Sequence, residues 1–173
     1  MTMKTKILAI AATVLIAWSL KRHYADARVD DLWWILGPTS RLVSVLTGAT
    51  FTMQSGEGYF SREHLFLIEK TCAGINFMIA AFGMLVCAWW HRVGSGIASM
   101  QVLGVSLLAS YVAAVLVNAV RITVAMWLAA HSAALSTLSA ADIHRLEGIT
   151  VYFGGLVALY EVARRLDRRA VTV

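Results

Sequence analysis

From Ile97 to Leu138 the chain stays apolar almost without a break, about twice the ~20 residues that one membrane crossing needs. Asn118 and Arg121 interrupt this stretch. It is therefore either two crossings, or one crossing plus a helix that stays near the far interface. No soluble fold has a core deep enough to hide such a run together with the others described below.

Composition agrees. Of the 173 residues, 59% are hydrophobic and 14% charged, with a mean hydropathy of +0.70, which places the chain in a bilayer. Helices are the expected spanning form, because backbone polar groups must be satisfied without water and the apolar runs lack the alternation of barrel strands. The net charge of +5 does not indicate a nucleic-acid binder. Its Lys and Arg residues flank apolar runs instead of lining one polar face, so the charge reads as topology. The two cysteines, Cys72 and Cys87, are about 22 Å apart along a common helix, too far for a disulfide. No CxxC or Cys/His zinc pattern is present.

The first apolar run, Ile7 to Leu20, follows Lys4 and Lys6 and is expected to be a retained anchor, since Lys21-Arg22-His23 does not resemble a small-residue cleavage site. Leu32 to Phe51, with Pro38 as a helix starter, is a weak spanning segment or an interfacial helix. Between Thr50 and Lys70 the chain turns polar, with short strand-like pieces, and predicts a small extramembrane hairpin. Cys72 to Trp90 is the clearest spanning helix, and a last helix runs from about Gly148 to Ala163. The expected fold is an all-α polytopic membrane protein with about five to six membrane-embedded helices and a small extracytoplasmic β-hairpin before the Cys72 helix. It forms a single domain: 1–31 an anchor helix and loop, 32–165 the core, 166–173 a basic cytoplasmic tail.

Arg164-Arg165 and Arg168-Arg169 mark the cytoplasmic side by the positive-inside rule. Placing His91-Arg92 inside as well leaves Cys72 and the hairpin outside, and the last helix then starts outside near His144. The N-terminal orientation stays open, because Lys4/Lys6 and Lys21/Arg22/Arg28 compete for the inside.

In this topology Cys72, Arg121 and His144 fall at one outer edge. A thiol is a nucleophile only as thiolate, which a helix N-terminus and a nearby cation favour. Arg121 keeps its charge at any accessible pH, so it suits holding a thiolate or an oxyanion and not shuttling protons. His144 exchanges a proton near neutrality, as delivery to a departing amine requires. Asn118, one turn before Arg121, either orients it or donates to the oxyanion. Glu69 either pairs with Arg121 or is simply solvated. The bland alternatives are a packing cysteine, a snorkelling arginine and an interfacial histidine. Small residues at Cys72, Asn76, Ala80, Gly83 and Cys87 form one helical stripe, and Ser110, Ala114, Asn118 and Arg121 a second that can face it. Such stripes usually signal close helix packing. Cys87 is read as a packing residue.

Three blocks carry a family likeness. Glu69-Lys70-Thr71-Cys72-Ala73-Gly74-Ile75-Asn76-Phe77 resembles the Cys-x-Gly block of the exosortase/archaeosortase family. Asn118-Ala119-Val120-Arg121-Ile122 resembles its Asn-x-x-Arg block, and His144 through Gly148 its His-x-x-x-Gly block. The resemblance covers roughly residues 38–163, in the family's order, and the short length is similar to the compact exosortase K type. It implies a membrane-embedded cysteine transpeptidase with Cys72, Arg121 and His144 as catalytic residues and Glu69, Asn76 and Asn118 in support. The implied substrates are exported proteins whose C-terminal tail carries a motif, a transmembrane helix and a basic cluster. They would be transferred through a Cys72 thioester to an amine on an envelope lipid or glycan.

That chemistry needs no metal and no organic cofactor. It implies no nucleic-acid partner, and a multi-pass protein of the plasma membrane with its site on the extracytoplasmic side. The rival readings are a plain endopeptidase using water and a non-enzymatic scaffold or assembly subunit.

Overall fold

A computed structural model describes residues 3–130 and 140–171, and their side chains except those of 140–145 and 169–171. Five α-helices are present among these: α1 (Met3–Asp26), α2 (Trp33–Thr47), α3 (Ile75–Ala88), α4 (Gly96–Ala130) and α5 (Ala140–Val171). Four spans are long and apolar enough to cross a membrane: Met3–Asp26, Lys70–Ala88, Gly96–Ala130 and Leu146–Arg168. Large apolar side chains stand exposed along them, including Leu8, Val14, Leu15 and Trp18 on α1, Met100, Leu108 and Trp127 on α4, and Ile149 and Phe153 on α5. Apolar surface on this scale marks a membrane-facing exterior. The chain is mostly helical, and among its described residues four helices are long and apolar enough to cross a membrane, compatible with a multi-pass membrane protein.

Several boundaries differ from the expectation. α4 is one continuous helix of 35 residues, about 52 Å long. Asn118 and Arg121 lie inside it, so polar side chains there do not break the helix, whose backbone bonds are all internal. α5 starts eight residues before Gly148, because Asp142, His144 and Arg145 are polar but not helix-breaking. Pro38 does not start α2 but sits inside it, with the helix already begun at Trp33.

Where a hairpin is expected, three short strands form an antiparallel sheet: β1 (Thr52–Gln54), β2 (Gly58–Ser61) and β3 (Phe66–Ile68), in the order β1-β2-β3. Tyr59 pairs with Met53 on one side and Ile68 on the other.

The chain falls into two compact units, each assembled from separated stretches. One comprises residues 1–26, 75–114 and 156–173. Here α1 packs along α3, Lys21 Nζ donates to Asn76 Oδ1 at 2.7 Å, and Ala9, Val93 and Val102 form a small core with Trp89 and Trp90 against it. Asp167 of α5 pairs with Arg92 and, at 3.2 Å, with His91. The basic residues after α3 and the end of α5 thus meet at one place.

The other unit comprises residues 27–74 and 115–155. Its core holds Leu32, Ile35, Leu36, Val43, Ile68, Ala73 and Ile122. α2 packs on β2 and on the turn Lys70–Ala73, and Gly37 lets the Tyr59 hydroxyl approach the helix, since a Cβ there would lie 3.0 Å from it. Asp30, in the connector before α2, accepts from Gly56 N–H and the Ser55 hydroxyl, both at 3.0 Å. Those bonds, Gly56 first, hold its pKa below the ordinary aspartate value.

Candidate active site

Cys72 is not on α3. After β3 the chain is extended at Glu69, then closes a 3-10 turn over Lys70–Ala73 that carries the thiol, and only after Gly74 does α3 begin. Gly74 separates turn from helix by adopting a left-handed conformation, φ 68°, which L side chains rarely adopt. It is doubly constrained, because a Cβ at Gly74 would lie 3.2 Å from Asn118 Cγ. The helical stripe expected through Cys72 is therefore out of phase with its first member. The rest of that stripe is not the packed face: Asn76, Ala80 and Cys87 are exposed, and α3 buries Ile75, Phe77, Met78, Ala81, Phe82, Leu85 and Val86 instead.

The turn is anchored on several sides. Cys72 N–H donates to Glu69 C=O at 2.9 Å. Lys70 Nζ donates to Ala27 C=O at 2.7 Å, and the Thr71 hydroxyl to Glu69 Oε1 at 2.6 Å. From α4, Asn118 Nδ2 donates to the Cys72 carbonyl. The thiol is free and partly exposed.

Asn118, only 1% exposed, is the centre of the arrangement. Its Oδ1 accepts from the Tyr152 hydroxyl at 3.0 Å. Three residues further along α4, Arg121 lays its guanidinium over the Tyr152 ring, 5.3 Å from the centroid, and donates from Nη1 to the Tyr152 hydroxyl at 3.2 Å. Gly148 on α5 provides room: a Cβ there would lie 3.3 Å from Arg121 Nε. Beside it, Glu147 is buried, 8% exposed. The Arg121 charge acts on Cys72, Glu147 and Tyr152. A cation and a carboxylate in an apolar helix are costly unless they interact, and here both belong to one cluster.

Of the residues nominated from sequence, Cys72, Asn118 and Arg121 are brought together in the unit built from residues 27–74 and 115–155. Glu69 is exposed and its carboxylate accepts from Thr71. Asn76 belongs to the other unit and accepts from Lys21. His144 lies on α5, but its side chain falls outside the described residues. Among the described residues, no group of three or more His, Cys, Asp or Glu is placed to hold a metal.

Tyr152 and Glu147 are absent from the sequence reading. A signal existed: 144, 148 and 152 recur every four residues along one helical face, so extending the His-x-x-x-Gly spacing by one turn reaches Tyr152. Glu147, among the polar residues Asp142, His144 and Arg145, carries no such signal in the sequence.

Chemically, the site sets a thiol near a fixed cation. The Cys72 N–H, an obvious donor to a developing oxyanion, is spent inside its own turn, and Asn118 is engaged at both its oxygen and its nitrogen. Arg121 is thus the group best suited to receive negative charge. No known protein family, no curated protein and no solved structure matches this chain.

Proposed function

We propose that the chain is a membrane-embedded cysteine transpeptidase of the exosortase kind, with Cys72 as nucleophile. The observation that carries this reading is the continuous polar contact from the Cys72 carbonyl through Asn118 and Tyr152 to Arg121, built from two of the three blocks that resemble the family and extended by one residue. Gly74 and Gly148, the glycines of the first and third blocks, touch Asn118 and Arg121 respectively, which gives each a steric reason to lack a side chain. A packing cysteine requires none of this.

In the proposed reaction the Cys72 thiolate attacks the scissile carbonyl, and Arg121 holds the oxyanion that forms. The C–N bond then breaks, the departing amine takes a proton from His144, and the acyl group remains on sulfur as a thioester. An acceptor amine attacks that thioester, gives its proton to His144 and releases the Cys72 thiolate, which restores the starting state. The substrates are exported proteins with a C-terminal motif, helix and basic tail, processed at the extracytoplasmic face of the plasma membrane.

Tail processing of a co-expressed candidate substrate tests this directly. Cys72→Ser, Arg121→Ala and His144→Ala should abolish processing, and Cys87→Ala should retain it. Mass analysis of the new C-terminus then separates an amine adduct from a free carboxylate. Processing by Cys72→Ser at the wild-type rate would end the cysteine-enzyme reading and leave a scaffold.

A further inference from the structure

We propose that Tyr152 is the positioning residue of this site: its hydroxyl fixes the Arg121 guanidinium and, through Asn118, the turn that carries Cys72. The inference deepens the transpeptidase reading, but its first test needs no substrate.

A phenol has one proton to give. At Tyr152 that proton goes to Asn118 Oδ1, while the oxygen accepts from Arg121 Nη1. With its Oδ1 committed as acceptor, Asn118 must present Nδ2 toward Cys72, where it donates to the carbonyl. The hydrogen bonds therefore have a single direction, from Arg121 through Tyr152 and Asn118 to Cys72. In a low-dielectric surrounding such a chain is reinforced, because each bond polarises the next.

The ring adds a second restraint by lying against the guanidinium. The hydroxyl is hydrogen-bonded to Asn118 and Arg121, which places Tyr152 to act through them. Among the described residues, the charged and titratable groups that act on the thiol are Arg121 from α4, Tyr152 from α5 and Glu69 from its own turn. Of these, Arg121 is the one whose place depends on Tyr152.

The test uses the full chain with Cys87→Ala, so that Cys72 is the sole thiol, purified in detergent and alkylated with iodoacetamide at fixed pH. Tyr152→Phe keeps the ring and removes the hydroxyl; it should slow alkylation about tenfold, the size of one hydrogen bond to a charged group. Arg121→Gln should slow it at least as much, and Tyr152→Phe added to Arg121→Gln should slow it no further. Unchanged alkylation in Tyr152→Phe, or two effects that multiply, would overturn the proposal.

If Tyr152→Phe does not fold, Asn118→Asp carries the test. It keeps the acceptor for the phenol and removes the donor to the Cys72 carbonyl, and it should slow alkylation to the same degree; wild-type reactivity would count against the chain. In the processing assay, Tyr152→Phe should lower the maximal rate and leave the half-saturating substrate level unchanged. A rise in the latter alone would reassign the residue to substrate binding. Processing that survives in Cys72→Ser would remove the transpeptidase reading and leave the alkylation result standing by itself.

Discussion

The two units differ in how they place amide and charged side chains. In the unit of residues 1–26, 75–114 and 156–173, interactions between charged or amide side chains lie toward helix ends and in exposed positions: Lys21 with Asn76, Arg22 with Asp26, Arg92 with Asp167. Its buried Ser110 turns its hydroxyl back to Leu107 C=O within its own helix. In the unit of residues 27–74 and 115–155, the buried Thr39 and Ser40 hydroxyls also turn back to their own helix, but the buried amide of Asn118 ties α4 to the Cys72 turn and to α5. A helix that only spans needs the first arrangement, since its backbone is already satisfied. The second costs desolvation that spanning alone never requires, which is why it marks the place to look for chemistry.

The contrast can be broken most forcefully at Asn118. Asn118→Leu keeps the branched heavy-atom shape but strips partners from the Cys72 carbonyl and the Tyr152 hydroxyl, and should cost about 2 kcal/mol or more in detergent denaturation. Ser110→Ala, earlier on the same helix, should change stability by less than about 0.5 kcal/mol, because only a bond within the helix is lost. Equal effects would mean that the two regions are not different in kind.

A smaller effect is expected from two glycines. Gly148→Ala crowds the guanidinium and should destabilise by about 1 kcal/mol. Gly104→Ala, with no atom within 4 Å of the added Cβ, should be neutral or stabilising by up to about 1 kcal/mol through helix propensity. Paired thermal midpoints decide this, and a loss at Gly104 as large as at Gly148 would contradict it.

The smallest concerns Asp30. Its carboxylate is depressed by Gly56 and Ser55, so its contribution is complete above the ordinary aspartate value of about 3.9 and disappears as pH falls through the lower folded value. Hydrogen exchange at the Gly56 amide, compared with Asp30→Asn, should show protection that the variant lacks at neutral pH. Identical protection would remove Asp30 from the account.

Much of the fold is legible because a bilayer leaves few options. Long apolar runs closed by Trp and Arg residues locate α1, α3, α4 and α5, and the polar, aromatic stretch before Cys72 locates the sheet. What is hidden is local. Gly74 reads as one more small residue in a packing stripe, and only its left-handed backbone moves Cys72 off the helix. Pro38 suggests a start because proline favours the first turn, yet tertiary packing of Ile35 and Leu36 extends α2 upstream of it. Tyr152 is missed because an aromatic in a spanning helix is ordinarily packing, and its use as a hydrogen-bond bridge depends on two residues of α4. Asn118 and Arg121 are recoverable because a polar amide and a guanidinium in an apolar helix need a reason.

Arg121 sits on α4, while Tyr152, Glu147 and Gly148, which receive it, all sit on α5, which is synthesised after it. On the insertion scale an arginine costs up to roughly 2.5–3.5 kcal/mol, most at a helix centre and less toward the interface. Until α5 arrives, α4 must carry that cost against its own hydrophobicity. Membrane integration of α4 is thus coupled to synthesis of α5, and a nascent protein truncated before residue 147 should hold α4 in the bilayer less firmly than one that includes α5.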